Sequence, residues 1–261
     1  PTVPVETRFV TGDGGTAENT GLNGALRRGA RRIVSFVHCG APAPREAFDP
    51  FEREPQSDED VSSQISDKFG VFLPSGDTFD YDYAHNQVFR KQDLAEVLAS
   101  LQDAQASGWG AVRTFDLEVV KNDFWGIDWS VEASEDSDSS EDDHALGSLE
   151  TTSVLTDFSK SLARGKVRIT FVLLARAYEW ERRLEDEEMR QLAVPKGAED
   201  PRNQVSGGFF KEWITGKAPF ARFPVTSVVG DLVMSVEKTN LLAQFCTWLV
   251  LVNKEHFRMN F

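Results

Sequence analysis

The sequence predicts an α/β fold, and three features carry that prediction. Two short β-branched runs, Ile33-Val34-Ser35-Phe36-Val37 and Val167 to Leu174, read as buried strands. Two stretches carry apolar residues at helical spacing: Leu94, Val97, Leu98 and Leu101, then Leu241, Leu242, Phe245, Trp248 and Leu249. Strands that alternate with such helices pack as a sheet with flanking helices. The composition supports a core of that kind, with 40% hydrophobic and 11% aromatic residues in a chain of 261.

The elements follow in order. Thr7 to Val10 reads as a short strand, broken by Gly12-Asp13-Gly14-Gly15. Asn19 to Arg28 reads as a helix with Leu22, Ala25 and Leu26 on one face, and Gly29 ends it at the position after the cap. Ile33 to Val37 then suits a parallel strand buried on both faces, and Pro42 and Pro44 end it. Residues 45–86 are rich in Asp, Glu, Ser and Pro with little periodicity. They read as a long excursion over the surface, tied down by Phe48, Phe51, Phe69, Phe72 and Phe79.

Residues 90–107 read as a helix stopped by Gly108, and residues 110–121 alternate as a strand. Tyr178 to Leu192 is charged and amphipathic, hence helical until Pro195. Residues 237–252 form a final helix facing the core. Three blocks result: 1–130 with the β-α-β unit, a loop at 131–150, and 151–261 as the remainder of the same α/β domain.

Charge excludes some functions. Lys and Arg number 28 against 42 Asp and Glu, a net charge of −14. Such a balance opposes nucleic acids and anionic bilayers. Much of it sits in Glu132 to Asp143, EASEDSDSSEDD, which cannot bury enough apolar area to offset its ordering entropy and is expected to be a disordered surface loop. Two cysteines, Cys39 and Cys246, provide neither a disulfide framework nor a Cys-based structural zinc site. The longest apolar stretch, Leu241 to Val252, is too short to span a bilayer. The expected location is cytoplasmic or peripheral to a membrane.

The sharpest local signal is Thr11-Gly12-Asp13-Gly14-Gly15, followed by Glu18-Asn19. It places a carboxylate at the end of a strand, where sites of open α/β sheets gather. The glycines let the chain turn and leave the carboxylate uncrowded. Such an Asp can act as a general base or ligate a cation, and a tight turn with a capping Asp accounts for the same residues.

The stretch GDGGTAENTGLNGALRRGARRIVSFV resembles the D-G-G segment of patatin-like lipid acyl hydrolases. The downstream stretches Asn86 to Phe89, 94–112, Asn122 to Ile127 and Phe223-Pro224 … Asn240 to Ala243 are more loosely similar to a divergent patatin-like group. The resemblance implies a patatin-like layered sheet with flanking helices and a Ser–Asp dyad acting on a lipid or acyl-ester substrate without a cofactor. Asp13 would take the proton of the nucleophilic Ser, Gly12, Gly14 and Gly15 would shape its loop, and Asn19 would brace it. The chain departs from the family in having no two glycines four apart, and therefore no G-x-S-x-G elbow. Both the elbow and the oxyanion loop precede D-G-G in the family. The chain is thus expected to be an incomplete domain, the downstream part of a longer enzyme. The competing expectation is a non-catalytic α/β interaction module regulated through its acidic loop.

Other constellations read as structure. His38 and Cys39 are neighbours on a strand and point to opposite faces, so Cys39 reads as a buried small hydrophobe. Asp77, Asp80, Asp82 and His85 lack an EF-hand pattern, and the four histidines show no metal spacing. Trp125 and Trp129, flanking Asp128, read as packing residues. Aromatic loops at Phe209-Phe210 and Trp213-Ile214 are candidates for contact with neutral lipid.

Overall fold

The computed structural model describes residues 20–37, 48–57, 60–73, 85–129, 162, 165–185 and 236–260. Among them the elements run α1 (Leu22–Arg27), β1 (Arg32–Val37), α2 (Ser63–Ser66), α3 (Leu94–Ala106), β2 (Ala111–Glu118), β3 (Lys166–Leu173), α4 (Tyr178–Glu181), α5 (Val236–Val252) and α6 (Lys254–Arg258). A 3₁₀ turn, Asp67–Phe69, extends α2, and another, Lys91–Asp93, leads into α3. The fold is α/β: the three described strands form one mixed sheet in the order β1-β3-β2. β3 is parallel to β1, with Arg32 opposite Arg168, and antiparallel to β2, with Ala111 opposite Leu173.

Strand alternation sends side chains to two faces, and each face has its own core. Val167, Ile169, Phe171 and Leu173 of β3 face the first, where α1, α2 and α3 supply Leu22, Leu26, Ile65, Val97, Leu98 and Leu101. Val172 of β3 and Val112 of β2 face the second, against Leu241, Phe245 and Leu249 of α5 and Phe257 of α6. Those three α5 residues recur every four positions, the stripe that the sequence predicts; Leu242 and Trp248 flank it and are only partly buried. On the second face a bidentate pair, Arg168 to Asp116 at 2.7 and 2.8 Å, spans β3 and β2. The guanidinium holds the Asp116 carboxyl below the usual carboxylate range.

Helix ends match their residues. Gly29 follows α1 with φ 75°, a left-handed conformation that favours glycine, and its N–H donates to the Leu26 carbonyl at 2.9 Å. Ser62 caps α2 by accepting from the Gln64 N–H at 3.2 Å.

Three expectations need correction. First, β1 is not buried on both faces: Phe36 is 48% exposed, although it meets Phe257 at 6.4 Å. Second, residues 45–86 do not simply cross the surface. Their described part delivers Phe48, Val61, Ile65, Phe69 and Val71 to the first core. Phe51 and Phe72, expected to anchor it, are instead exposed, and Phe79 lies outside the described residues. Third, of the helix expected over 178–192 the described part stops at Glu181 and gives way to a turn at Arg182 and Arg183, while 186–192 lie outside the described residues. There Arg182 lies over the Tyr178 ring and Arg183 over the Trp109 ring, so both cations are drawn sideways onto aromatics instead of continuing a solvent-facing stripe.

Candidate functional site

Asp13, Gly12, Gly14, Gly15 and Asn19 lie outside the described residues, as do His38, Cys39, Asp77, Asp80, Asp82, the acidic segment 132–143, Phe209, Phe210, Trp213 and Ile214. At the start of α1 the Thr20 hydroxyl accepts from the Leu22 N–H.

In the first turn of that helix the core becomes polar. Asn23 is fully buried, and its Nδ2 donates to Asn86 Oδ1 at 3.2 Å. Trp125 Nε1–H donates to the same oxygen at 3.1 Å. Asn86 Nδ2 in turn donates to Asp67 Oδ2 at 2.9 Å, and the Lys68 ammonium donates to that oxygen at 3.2 Å. Asp67 and Lys68 are 2% and 1% exposed. An ionised pair buried this deeply carries a large desolvation penalty, and its hydrogen bonds must offset it. Asn86 is the hub, with its oxygen accepting twice and its amide donating into the ion pair.

The backbone makes this junction rigid. The Lys68 carbonyl accepts from the Val88 and Phe89 N–H groups at 2.9 and 2.8 Å. Asn122 Nδ2 donates to the His85 and Gln87 carbonyls at 2.7 and 2.8 Å, and Asn122 Oδ1 accepts from the Trp125 N–H. Gly70, at φ 74°, lets the chain pass the Gln87 side chain at a distance no Cβ would allow. Asn23 Oδ1 and Ser66 Oγ are buried with no hydrogen-bond partner. The arrangement can fix the start of α1 and hold a balanced pair of charges beneath it.

Trp125 and Trp129 pack against the first core, as expected from sequence, and Trp129 Nε1–H donates to the Leu26 carbonyl at 3.1 Å. His85 stacks on Phe124 with ring centroids 4.4 Å apart. Among the described residues no three His, Cys, Asp or Glu side chains converge to hold a metal, and no helix is long and apolar enough to cross a membrane. A groove of about 400 Å³ runs beside α3 over Val71, Leu94 and Leu98, with Lys91 and Glu54 paired at 2.9 Å on its rim. It is lined by apolar and ion-paired groups and by Gln92 and holds no nucleophile beside a base.

A second polar cluster lies on the opposite face. The hydroxyls of Thr114 and Thr170, facing each other across β2 and β3, are 2.7 Å apart. His256 Nδ1 is 3.2 Å from Thr114 Oγ1, and Thr170 Oγ1 is 3.1 Å from the His256 carbonyl. Each hydroxyl has one proton to give. Donation from Nδ1–H to Thr114, from Thr114 to Thr170, and from Thr170 to the His256 carbonyl fills every step of this ring. Asn260 Nδ2 adds a donor to Thr170 at 2.6 Å. Burial, and secondarily the Arg113 charge, hold the His256 pKa below its ordinary value. On α5, burial pushes the Cys246 thiol up, away from reactivity.

Asp67 and Lys68 escaped sequence reasoning for a physical reason. Asp and Lys are almost never fully buried, so charged residues in an acidic, aperiodic stretch read as solvated. The available signal was Ile65 and Phe69, four apart and followed by Gly70, which marks a short buried turn but not the inward direction of its charges. No family model, curated protein or solved structure matches the chain.

Proposed function

We propose that this chain is the base-bearing part of a patatin-like lipid acyl ester hydrolase, with Asp13 as general base and the nucleophilic Ser supplied from outside this sequence. One observation carries the reading. Two of the stretches that loosely resemble the divergent patatin-like group, Asn86 to Phe89 and Asn122 to Ile127, meet at Asn86 Oδ1, which accepts from Trp125 Nε1–H and from Asn23 Nδ2 in the first turn of the helix that follows D-G-G. Residues far apart in sequence thus brace the element on which the Asp13 loop leads. The passage from α1 into a strand parallel to β3 has the order that the resemblance implies. In this reading Asp13 takes the Ser proton as the hydroxyl attacks the ester carbonyl, and Gly14 and Gly15 keep its carboxylate uncrowded.

The test is Asp13→Asn in the full-length protein, assayed on a water-soluble short-chain ester. The side chains are nearly isosteric, so folding is retained. Turnover is expected to fall roughly 10²–10⁴-fold, with little change in KM. Wild-type turnover in a folded Asp13→Asn protein makes Asp13 a turn residue and leaves the non-catalytic module as the better reading.

A further inference from the structure

Arginines crowd the turn between α1 and β1. Arg27, Arg28, Arg31 and Arg32 fall within six positions, and no acidic residue occurs from Thr20 to Val37. Arg27 and Arg28 are exposed at the carboxyl end of α1, where the helix dipole favours a cation. That accounts for those two and not for the others. β3 begins beside the same turn: the Arg168 N–H donates to the Arg31 carbonyl at 2.9 Å, and Arg32 stands opposite Arg168 in register. With Lys166 and Arg168 added to the four arginines, six cations gather where β1 and β3 both start.

Few described acids answer them. Asp116 takes Arg168 in the bidentate pair, and the Lys166 and Arg32 charges also bear on it. Glu118, opposite Lys166, is bonded to Arg90 at 2.8 Å. Among the described residues no ion pair engages Arg27, Arg28 or Lys166. Such a concentration of positive charge on a chain of net charge −14 calls for a counter-charge, and the sequence carries one within reach.

Trp129 is fixed beside the arginines. Its Nε1–H donates to the carbonyl of Leu26, next to Arg27, and Arg31 lies over its ring, 5.4 Å from the centroid. Arg27 Nε is 3.8 Å from where a Cβ on Gly126 would stand. The acidic tract Glu132 to Asp143 starts three residues past Trp129, so even a fully extended chain keeps Glu132 within about 10 Å of it. The chain then returns to the same end of the sheet, because Lys166 opens β3. A segment tethered on both sides meets the arginines at an effective concentration on the order of millimolar, and ion pairs that are weak singly then act together. Charge carries a contact of this kind, so a tract with no core of its own can make it.

We propose that Arg27, Arg28, Arg31, Arg32, Lys166 and Arg168 form a surface on which the chain's own acidic tract, 132–143, docks. Neither the surface nor its occupant depends on the hydrolase reading. The test is a double-mutant cycle on the full chain, read as heparin affinity at low salt. Arg27→Gln with Arg28→Gln removes two exposed cations, and Glu→Gln with Asp→Asn throughout 132–143 removes the charge of the occupant. With the acidic tract intact the arginines are covered, so their loss is expected to change the heparin dissociation constant less than about twofold. With the tract neutralised, heparin binds more tightly, and the same loss is expected to weaken it about tenfold. Equal changes in the two backgrounds, as for a surface open to an acidic partner protein or an anionic membrane, overturn the proposal. If a variant melts abnormally, the wild type decides. Carbodiimide treatment of the dilute protein is expected to join the Lys166 amine to a carboxylate of 132–143 within one chain. Lys166 joined only to other carboxylates, or to none, overturns the docking.

Discussion

The two faces of the sheet use polar groups in opposite ways. On the first face, polar side chains bond mainly to one another in the middle of the core, and the links join Asn23, Asp67, Asn86 and Trp125 across 63, 19 and 39 residues of sequence. On the second face, Thr170 and Asn260 converge on the His256 carbonyl of the short helix α6, and Thr114 joins them through the Thr170 hydroxyl. The first arrangement determines which distant segments meet. The second completes the hydrogen bonding of a helix whose position the apolar stripe of α5 already favours. Removing a member of each should therefore give unequal effects.

The largest effect is expected at Lys68. Lys68→Met leaves the Asp67 carboxylate buried without the ammonium and should destabilise the fold by about 3–5 kcal/mol in urea unfolding. Replacing Asp67 with Leu at the same time should recover much of that loss, since an apolar pair needs no solvation. A loss below about 1 kcal/mol in the single variant would show that the pair lacks the energetic weight its burial implies.

A smaller effect is expected where the second face closes on a glycine. Gly110→Ala must bear both the left-handed backbone and the encounter with Leu249, at about 2–4 kcal/mol. Because Leu249 belongs to the second core, near-UV circular dichroism from Trp248 and Trp180 should change before the far-UV signal does.

The smallest effect is a pH dependence. His256 has a folded pKa below its ordinary value, so its neutral form is favoured in the fold and its contribution is complete above the unfolded value of about 6.5. As pH falls below that value, the unfolded chain binds a proton that the fold resists, and stability declines until pH passes the folded pKa. His256→Asn keeps a donor near the Nδ1 position but does not titrate. Unfolding free energies measured between pH 7 and pH 5 should fall more steeply for the wild type than for this variant. Equal slopes would mean that Arg113, and the nearby Asp116 and Arg168 on the strands, compensate the added charge.

The same contrast explains what was legible beforehand. The core-facing stripe of α5, the alternation of β2 and the stop at Gly108 follow from period and backbone chemistry, and all three lie where the sequence places them. They depend on neighbours in the chain. The Asn23–Asn86–Asp67–Lys68 chain depends on which segments meet, and nothing in the local pattern of Ser66-Asp67-Lys68 distinguishes a buried ion pair from a solvated one. Phe36 shows the reverse error. Its run reads as wholly buried, yet β1 has β3 on one side and only partial cover from Phe257 on its second face.

The strand order has a consequence for how the chain matures. β3 lies between β1 and β2 but is the last of the three to be synthesised. Until it emerges from the ribosome, β1 and β2 have no hydrogen-bonding partner among the described strands of this sheet. Pairing at such long sequence separation closes slowly, since the loop entropy is spent before the contacts form. For the described strands, the nascent protein therefore passes through an interval in which β1 and β2 await their shared partner, which is when holding chaperones have most to protect.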